Sequence, residues 1–215
     1  MNRYTFNQNG VATEVNESYI EEDSTNKTEL KNHGNAIAKD INAFRKSVST
    51  NGGFYVGRYE ARITSVRNSK DDELTRITEK KSEYIYNYVT QLQAAELSEN
   101  MYKNSNFTSE LMNSYAWDTA TLFLQTFGDN NKYSRQNSLN TSRMDTGTDN
   151  DKQCNVYDMA SNEVEWTTET LDNSEHPSVY RGGYYDNSSI FTNSRGVSPY
   201  NNSWFNFSFR PILYF

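Results

Sequence analysis

From Tyr184 to Asn206 the chain shows neither the 3.6-residue period of a helix nor the alternation of a strand. A structureless run of that length is uncommon inside a compact fold, and it has to be held at both ends. Two flanks can do this. Val179-Tyr180-Arg181-Gly182-Gly183 reads as a strand running into a glycine turn. Phe209-Arg210-Pro211-Ile212-Leu213-Tyr214-Phe215 reads as a closing strand rich in aromatic and branched residues. Any fold for this chain must present an irregular layer between two late strands.

The layer draws on few residue types. It contains no Lys, Glu, Gln or Met, although all four occur upstream. It consists of Tyr, Asn, Ser, Asp, Phe, Thr, Gly, Val, Ile, Pro and Arg, plus Trp204. Apart from Trp204, each type arises from an Asn codon by changing its adenines, and that route never produces a stop. The same types suit a binding loop. Tyr and Phe bring large rigid contact area, and Ser, Gly and Asn bring adaptable hydrogen bonds. The plainer reading is a polar surface loop that happens to omit four residue types, and both readings stand at this point.

Composition removes several classes of function. With 215 residues the chain suits one domain with an extension, or two small ones. A mean hydropathy of −0.93 demands a polar surface, while 14% aromatic residues demand a core. The net charge of −7 speaks against a nucleic-acid groove, which needs a basic stripe. No apolar run approaches the roughly 20 residues of a membrane span. The opening MNRYTFNQNG lacks the apolar region of a signal peptide, which leaves export open. The single cysteine, Cys154, allows no internal disulfide. His33 and His176 are too few for most histidine-based zinc sites, and no Ser sits in a nucleophile-elbow pattern. Triplets such as Asn26-Lys27-Thr28 match a glycosylation acceptor, but in so Asn-rich a chain they arise by chance.

Taken in order, residues 1–28 read as an extended polar arm or a weakly ordered lead-in. Leu30, Ala36, Ile37, Ile41, Phe44 and Val48 predict a helix from Glu29 to about Ser49, ended by Asn51-Gly52-Gly53. Residues 54–62 read as a strand with Phe54, Val56, Arg58 and Glu60 on one face. Residues 63–82 read as a solvated charged loop. Tyr84–Val89 leads into a helix from Gln91 to about Lys103, capped by Thr90, with Leu92, Ala95, Leu97 and Met101 on its buried side. Thr108 or Ser109 is expected to cap the next segment, whose helix carries Ala116, Trp117, Ala120, Leu122, Phe123 and Phe127 and stops at Gly128. Residues 129–153 read as a long surface loop, and residues 155–167 as short strands around a tight turn. This order predicts an α+β fold with much irregular structure.

Three segments carry a resemblance. GGFYVGRYEAR, NVYDMASNEVEWTTE and the ending RGGYY…FRPILYF, in this order and spacing, resemble the formylglycine-generating-enzyme type of C-type lectin fold. The helix around SYAWDTATLF stands where that family has its second helix. The resemblance covers about residues 52 to 215. It implies two main helices packed on short antiparallel strands. It also divides the chain into a polar arm plus helix over 1–50 and a lectin-like domain over 51–215, whose ligand-binding region spans about 179–215. The sulfatase-activating members use a cysteine pair just before the last strand. Here the matching stretch, Asn193 to Tyr200, contains none, and Cys154 lies outside it. That activity is therefore expected to be absent, since one cysteine cannot supply a thiolate pair.

The chain more closely resembles the variable proteins of diversity-generating retroelements, phage and bacterial proteins that carry hypervariable residues at the extreme C-terminus of a lectin-fold scaffold. In that family the adenines of a template copy are randomised. Trp204 departs from the resulting palette, so it comes from another codon or belongs to the scaffold. The resemblance implies a non-enzymatic binder of an unknown protein or glycan on a cell surface, on a virion tail or a bacterial surface. The contact residues expected to be exposed are Tyr184, Asp186, Asn187, Ile190, Phe191 and Thr192, then Gly196, Val197, Ser198, Tyr200 and Asn201, then Trp204, Phe205 and Asn206. Ile190 and Phe205 fit core packing equally well. A formylglycine-generating-type oxidoreductase and a fixed-specificity lectin-like tail module remain as alternatives. No cofactor is required. The resemblance does offer a calcium ion, with carboxylates from Asp158 and Glu165 and main-chain carbonyls from Ser161 and Glu163, a hard-oxygen set that suits calcium. Glu165 fits a buried hydrogen-bonding role as well.

Overall fold

The computed structural model describes residues 1–15, 41–78, 81, 83–103, 106–138, 140–147, 151–170 and 175–215. The helix expected over residues 29–40 lies outside them.

The N-terminal residues form a hairpin rather than a loose arm. β1 (Arg3–Phe6) pairs antiparallel with β2 (Ala12–Val15). The turn is made by Asn7, whose side chain accepts from the amides of Asn9 and Val11, and by Gly10 at a φ of 77°. The expected helix is present as α1 (Ile41–Asn51). The Gly52 amide closes it on Val48 O, at a φ of 83° that favours glycine. Phe44 anchors the helix by packing edge-on against Phe54 and Tyr214.

The single strand expected over 54–62 is two short ones, β3 (Tyr55–Val56) and β4 (Arg62–Ile63). The chain bends between them because Gly57 exchanges hydrogen bonds with the last strand while Glu60 turns into the core. The segment after β4 is less solvated than its charge suggested. Arg67 is buried, and its guanidinium donates to the carbonyls of Ser69, Asp72, Glu73, Asn87 and Tyr88. One cation thus closes the loop on itself. β5 (Tyr84–Ile85) pairs with β4.

α2 (Gln91–Asn100) begins at Thr90, as the sequence indicated. Thr90 and Gln93 satisfy each other's backbone amides in a capping box. The next segment differs from expectation. Thr108 and Ser109 lie in a strand, β6 (Thr108–Leu111), and Asn113 caps α3 (Ser114–Phe127) by accepting from the Ala116 amide. The 129–153 loop is not all surface. Its 3₁₀ turn, Tyr133–Arg135, buries Tyr133, and Asp151 is buried beside it.

The remaining elements are β7 (Lys152–Gln153), β8 (Val156–Tyr157), β9 (Val164–Thr170), β10 (Ser178–Arg181), β11 (Arg195–Ser198), β12 (Phe207–Phe209) and β13 (Pro211–Tyr214). The last five strands of the sequence, with β3 and β6, build two sheets. One has the order β11-β10-β9-β12, and the other β3-β13-β6. The strands are not all antiparallel, because β12 runs parallel to β9. The irregular layer lets this happen. It carries the chain from β11 on one edge of the sheet to β12 on the other. With three helices among the described residues and several small sheets, the architecture is mixed α and β. No helix among them is long and apolar enough to cross a membrane.

Two apolar clusters flank the sheets. Trp166, Phe207, Phe209, Tyr86 and Leu111 centre one of them. Trp117, Phe44, Met159, Tyr133 and Ile212 centre the other. One side chain ties together all three segments that carried the resemblance. Arg210, fully buried beside Pro211, donates to Gly57 O at 2.8 Å, to Tyr157 O at 2.7 Å and to both carboxylate oxygens of Glu165 at 3.1 and 2.7 Å.

Candidate ligand-binding surface

The irregular layer rests on a buried charge network. Arg181 of β10 and Arg195 of β11 stand directly opposite each other in register, an arrangement that repels when left alone. Two acids resolve it. Asp118 of α3 accepts from Arg181 and Arg195 at 2.7 Å each and from the Tyr4 amide at 3.0 Å. Glu169 of β9 accepts from Arg181 at 3.2 Å, Arg195 at 2.9 Å and Arg3 at 3.0 Å. Burial pushes the Asp118 carboxyl up, but the Arg181 and Arg195 guanidiniums outweigh it and hold the group below its ordinary value. The network locks β11, in the middle of the layer, onto the helix, the sheet and the N-terminal hairpin.

Thr192 is a second anchor. It is fully buried. Its hydroxyl donates to Tyr133 O at 2.7 Å, and its carbonyl accepts from the Trp117 indole at 2.9 Å. The exposure expected of Thr192 therefore does not hold, nor does that expected of Ser198 and Asn206. The Asn202 amide donates to Ser198 at 2.6 Å, and Asn206 O accepts from the Val164 amide at 3.1 Å. All three face inward because the layer must satisfy its own backbone where it crosses the sheet.

The other expected contact residues reach the surface to different degrees. Asp186, Val197, Asn201, Trp204 and Phe205 are exposed. Among the large apolar side chains of the layer, Trp204 is 62% exposed and Phe205 45%, which places Phe205 outside the core. Tyr184, Asn187, Ile190, Phe191, Gly196 and Tyr200 are half-buried. The first part of the layer leans on the 133–140 loop. There the Arg135 guanidinium covers the Phe191 ring at 4.0 Å and the Asp186 amide donates to Asn140 O. The second part borders a cleft of about 550 Å³, into which Val197, Ser198, Asn201 and Trp204 converge. Tyr184, Asp186, Asn187, Ile190 and Phe191 do not line it.

Five cleft residues escaped the contact list read from the sequence: His176, Tyr180 and Phe207 outside the layer, and Pro199 and Asn202 within it. Tyr180 belongs to the strand read before the layer and borders it through the pairing of β10 with β11, while Phe207, just past the layer, is placed by the pairing of β12 with β9. Arg195 was also missed as a scaffold residue. Its signal was available, since it is the one cation in an otherwise Lys-free and Glu-free stretch.

The two carboxylates that the resemblance assigned to calcium, Asp158 and Glu165, already accept hydrogen bonds within the protein. Glu165 spends both carboxylate oxygens on Arg210, so a guanidinium occupies the position a cation would need. Asp158 accepts from the Gly147 amide at 2.7 Å. The Ser161 hydroxyl donates to Asp151 at 3.2 Å. The Glu163 side chain is buried, with the Arg143 guanidinium 3.6 Å away. Among the described residues, no group of three or more His, Cys, Asp or Glu side chains is placed to hold a metal. The expected result is a melting temperature that is the same in calcium and in chelator. A rise that grows with calcium concentration would show that a cage forms after all.

These acids instead form a buried cluster under the layer. Glu60 accepts from the Asn162 side-chain amide at 2.6 Å and from the Glu163 amide at 3.0 Å. Burial pushes the Glu163 carboxyl up to about 8, only partly offset by Arg143. Burial likewise raises Asp158 to about 7, with the Gly147 amide opposing it and the Asp151 charge adding to it. Asn162 O, on the same turn, accepts from the Tyr185 amide and so fixes the start of the layer.

No protein-family model matches the chain, and no curated protein does. Among solved structures it is similar to the crystal structure of CarF, with 12% identity and a TM-score of 0.48 over 81% of this chain and 82% of that one. It is also similar to the M1 variant of Major Tropism Determinant, with 12% identity and a TM-score of 0.47 over 75% of this chain and 50% of that one. Both TM-scores fall below 0.5, so neither likeness carries an argument about this chain.

Proposed function

We propose that the chain is a non-enzymatic ligand-binding protein of the C-type lectin fold. Its layer over 184–206 is the contact surface, diversified by a retroelement that rewrites adenines and displayed on a phage tail or a bacterial surface. The observation that supports this most is a division of labour within the layer. Residues with buried partners, Thr192, Arg195 and Ser198, anchor it. Asp186, Val197, Asn201 and Phe205, drawn from the same palette as these anchors, are exposed, as is Trp204. A polar loop with no binding role has no reason to expose Trp204 and Phe205 together, because contiguous exposed aromatics mark interaction sites. The bridging of three segments by Arg210 supports the fold, because residues distant in sequence are joined as the resemblance requires.

The DNA downstream of the gene tests diversification. A near-copy of its 3′ end with adenines at the codons for exposed positions, beside a reverse transcriptase, is the expected finding. Its absence would leave a binder of fixed specificity. The division of labour has its own test in urea denaturation. Thr192→Val is expected to lose about 1–2 kcal/mol, because Tyr133 O loses a buried donor. Trp204→Ala and Phe205→Ala are expected to stay within about 0.5 kcal/mol of the parent, as surface changes do. Large losses at Trp204 and Phe205 would place them in the scaffold.

A further inference from the structure

We propose that the cleft beside β11 takes a neutral sugar ring stacked on Trp204, and that the residue at position 196 sets the depth of the cleft through Tyr180. This rests on the ligand-binding reading above and gives it a ligand class.

The charge of the cleft narrows the ligand first. The chain carries a net charge of −7, yet no Asp, Glu, Lys or Arg lines the cleft. No carboxylate there meets a cationic ligand, and the one titratable base on the wall is the His176 imidazole. The other polar groups are the side-chain amides of Asn201 and Asn202 and the hydroxyls of Ser198 and Tyr180. Such groups both donate and accept, which matches a sugar hydroxyl. Two of them are pre-set. The Asn202 amide donates to Ser198 at 2.6 Å, and its carbonyl oxygen accepts from the Ser203 amide at 2.9 Å. Asn201 is exposed and offers a whole side-chain amide.

The aromatic wall supplies the other half. Trp204 stands edge-on to Phe207, with centroids 6.3 Å apart. Phe207 in turn stacks on the buried Trp166 at 4.5 Å. The exposed ring is therefore backed by the core and loses little freedom when a ligand covers it. A pyranose has an apolar C–H face for such a ring and hydroxyls for the amides opposite. An apolar side chain of a peptide would cover the ring but leave the amides without partners, a penalty a sugar avoids. A volume of about 550 Å³ accommodates one or two such rings.

Position 196 controls the floor. Gly196 faces Tyr180 across the β10–β11 pair. A Cβ placed on Gly196 would lie 2.1 Å from Tyr180 Cζ. The tyrosine ring covers the bare glycine backbone, a pairing that also supports a weak edge strand. Any side chain at 196 displaces that ring, which packs edge-on against Phe207 at 5.0 Å and lines the cleft. Depth, and with it ligand choice, then changes without any change in the residues that touch the sugar.

Tryptophan fluorescence tests this, because Trp117 and Trp166 are fully buried and Trp204 is exposed. The probes are glucose, galactose, mannose and N-acetylglucosamine, run beside sialic acid and phenylalaninamide. The expected result is saturable quenching or enhancement by at least one neutral sugar, unchanged by added salt. By calorimetry, Trp204→Ala weakens that sugar roughly thirtyfold, the size of an aromatic hot spot. Gly196→Asn weakens it at least about tenfold while Trp204→Phe retains it, on a scale where tenfold is about 1.4 kcal/mol. Saturation by sialic acid or phenylalaninamide with no response to the neutral sugars would overturn the proposal. So would no response to any probe, or sugar binding indifferent to Trp204→Ala. The DNA test is independent of these outcomes. A template copy without sugar binding sinks only the ligand class. Sugar binding without a template copy sinks only diversification.

Discussion

Replacing Arg210 with methionine is expected to cost about 3–5 kcal/mol of stability, the size of a broken buried ion pair. Arg210 is fully buried and makes four hydrogen bonds, two to Glu165 and one each to the carbonyls of Gly57 and Tyr157. Methionine fills the volume but returns none of them. Glu165 would lose its counter-charge next to Glu60 and Asp158, and two carbonyls would lose their donor. The Glu165 and Glu60 carboxylates hold the Arg210 guanidinium above its ordinary value, although burial works against this, so it keeps its charge throughout the measurable range. The check is the urea midpoint at a constant denaturant slope, which isolates stability from changes in compactness. Removing both partners, as Arg210→Met with Glu165→Met, is expected to recover much of the loss, because no orphaned charge remains. A loss below about 1 kcal/mol in the single variant would mean that the pair is solvated and that the three segments are joined by something else.

The sequence revealed those parts of the fold whose causes are local. Thr90 and Gln93 form their capping box from neighbouring residues, and Gly128 stops α3 where the apolar period runs out. The flanking strands at Val179–Arg181 and Pro211–Tyr214 were legible from their branched and aromatic residues, whereas Phe209, read as part of the closing strand, ends β12 in the other sheet. The N-terminal hairpin was legible too, though read as an arm. Asn9-Gly10 between RYTF and VATEV is a turn signal between strand-forming runs. What stayed hidden depends on distant partners. Thr192 and Phe205 belong to the same palette, and only Tyr133 and Trp117 decide that Thr192 turns inward. The parallel pairing of β12 with β9 leaves no mark in FSF itself. The partner of Glu165 stayed hidden for a similar reason. Arg210, which donates to both of its carboxylate oxygens, lies far along the chain.

The acid cluster under the layer makes alkaline pH the weak side of this protein. Stability is expected to fall as pH rises from about 5 to about 9. Glu163 titrates at about 8 in the folded protein against an ordinary 4.5, and Asp158 at about 7 against 3.8. Burial and the nearby charges of Asp158, Glu165 and Glu163 push Glu60 well above its ordinary 4.5, against the pull of Arg210. A raised acid keeps its proton in the folded state after the unfolded chain has released it. Its contribution is fully present below the unfolded value and is lost as pH climbs through the folded one. Each unit of separation is worth about 1.4 kcal/mol, and the charges share one cluster, so the summed loss reaches several kcal/mol without being additive. Asp118 works in the opposite sense. Its carboxyl is held below its ordinary 3.8, so its contribution exists above that value and disappears as pH falls through the folded one. The two arms place the maximum of stability in mildly acidic solution. Urea midpoints across the pH range measure the curve, and Glu163→Gln assigns its alkaline arm. Glutamine keeps the shape of the protonated side chain but cannot ionise, so the fall between about pH 4.5 and 8 should become shallower while the acid arm stays. A parent curve that is level or rising to about pH 9 would mean that water reaches these acids, and that the floor of the layer is wetter than its packing implies.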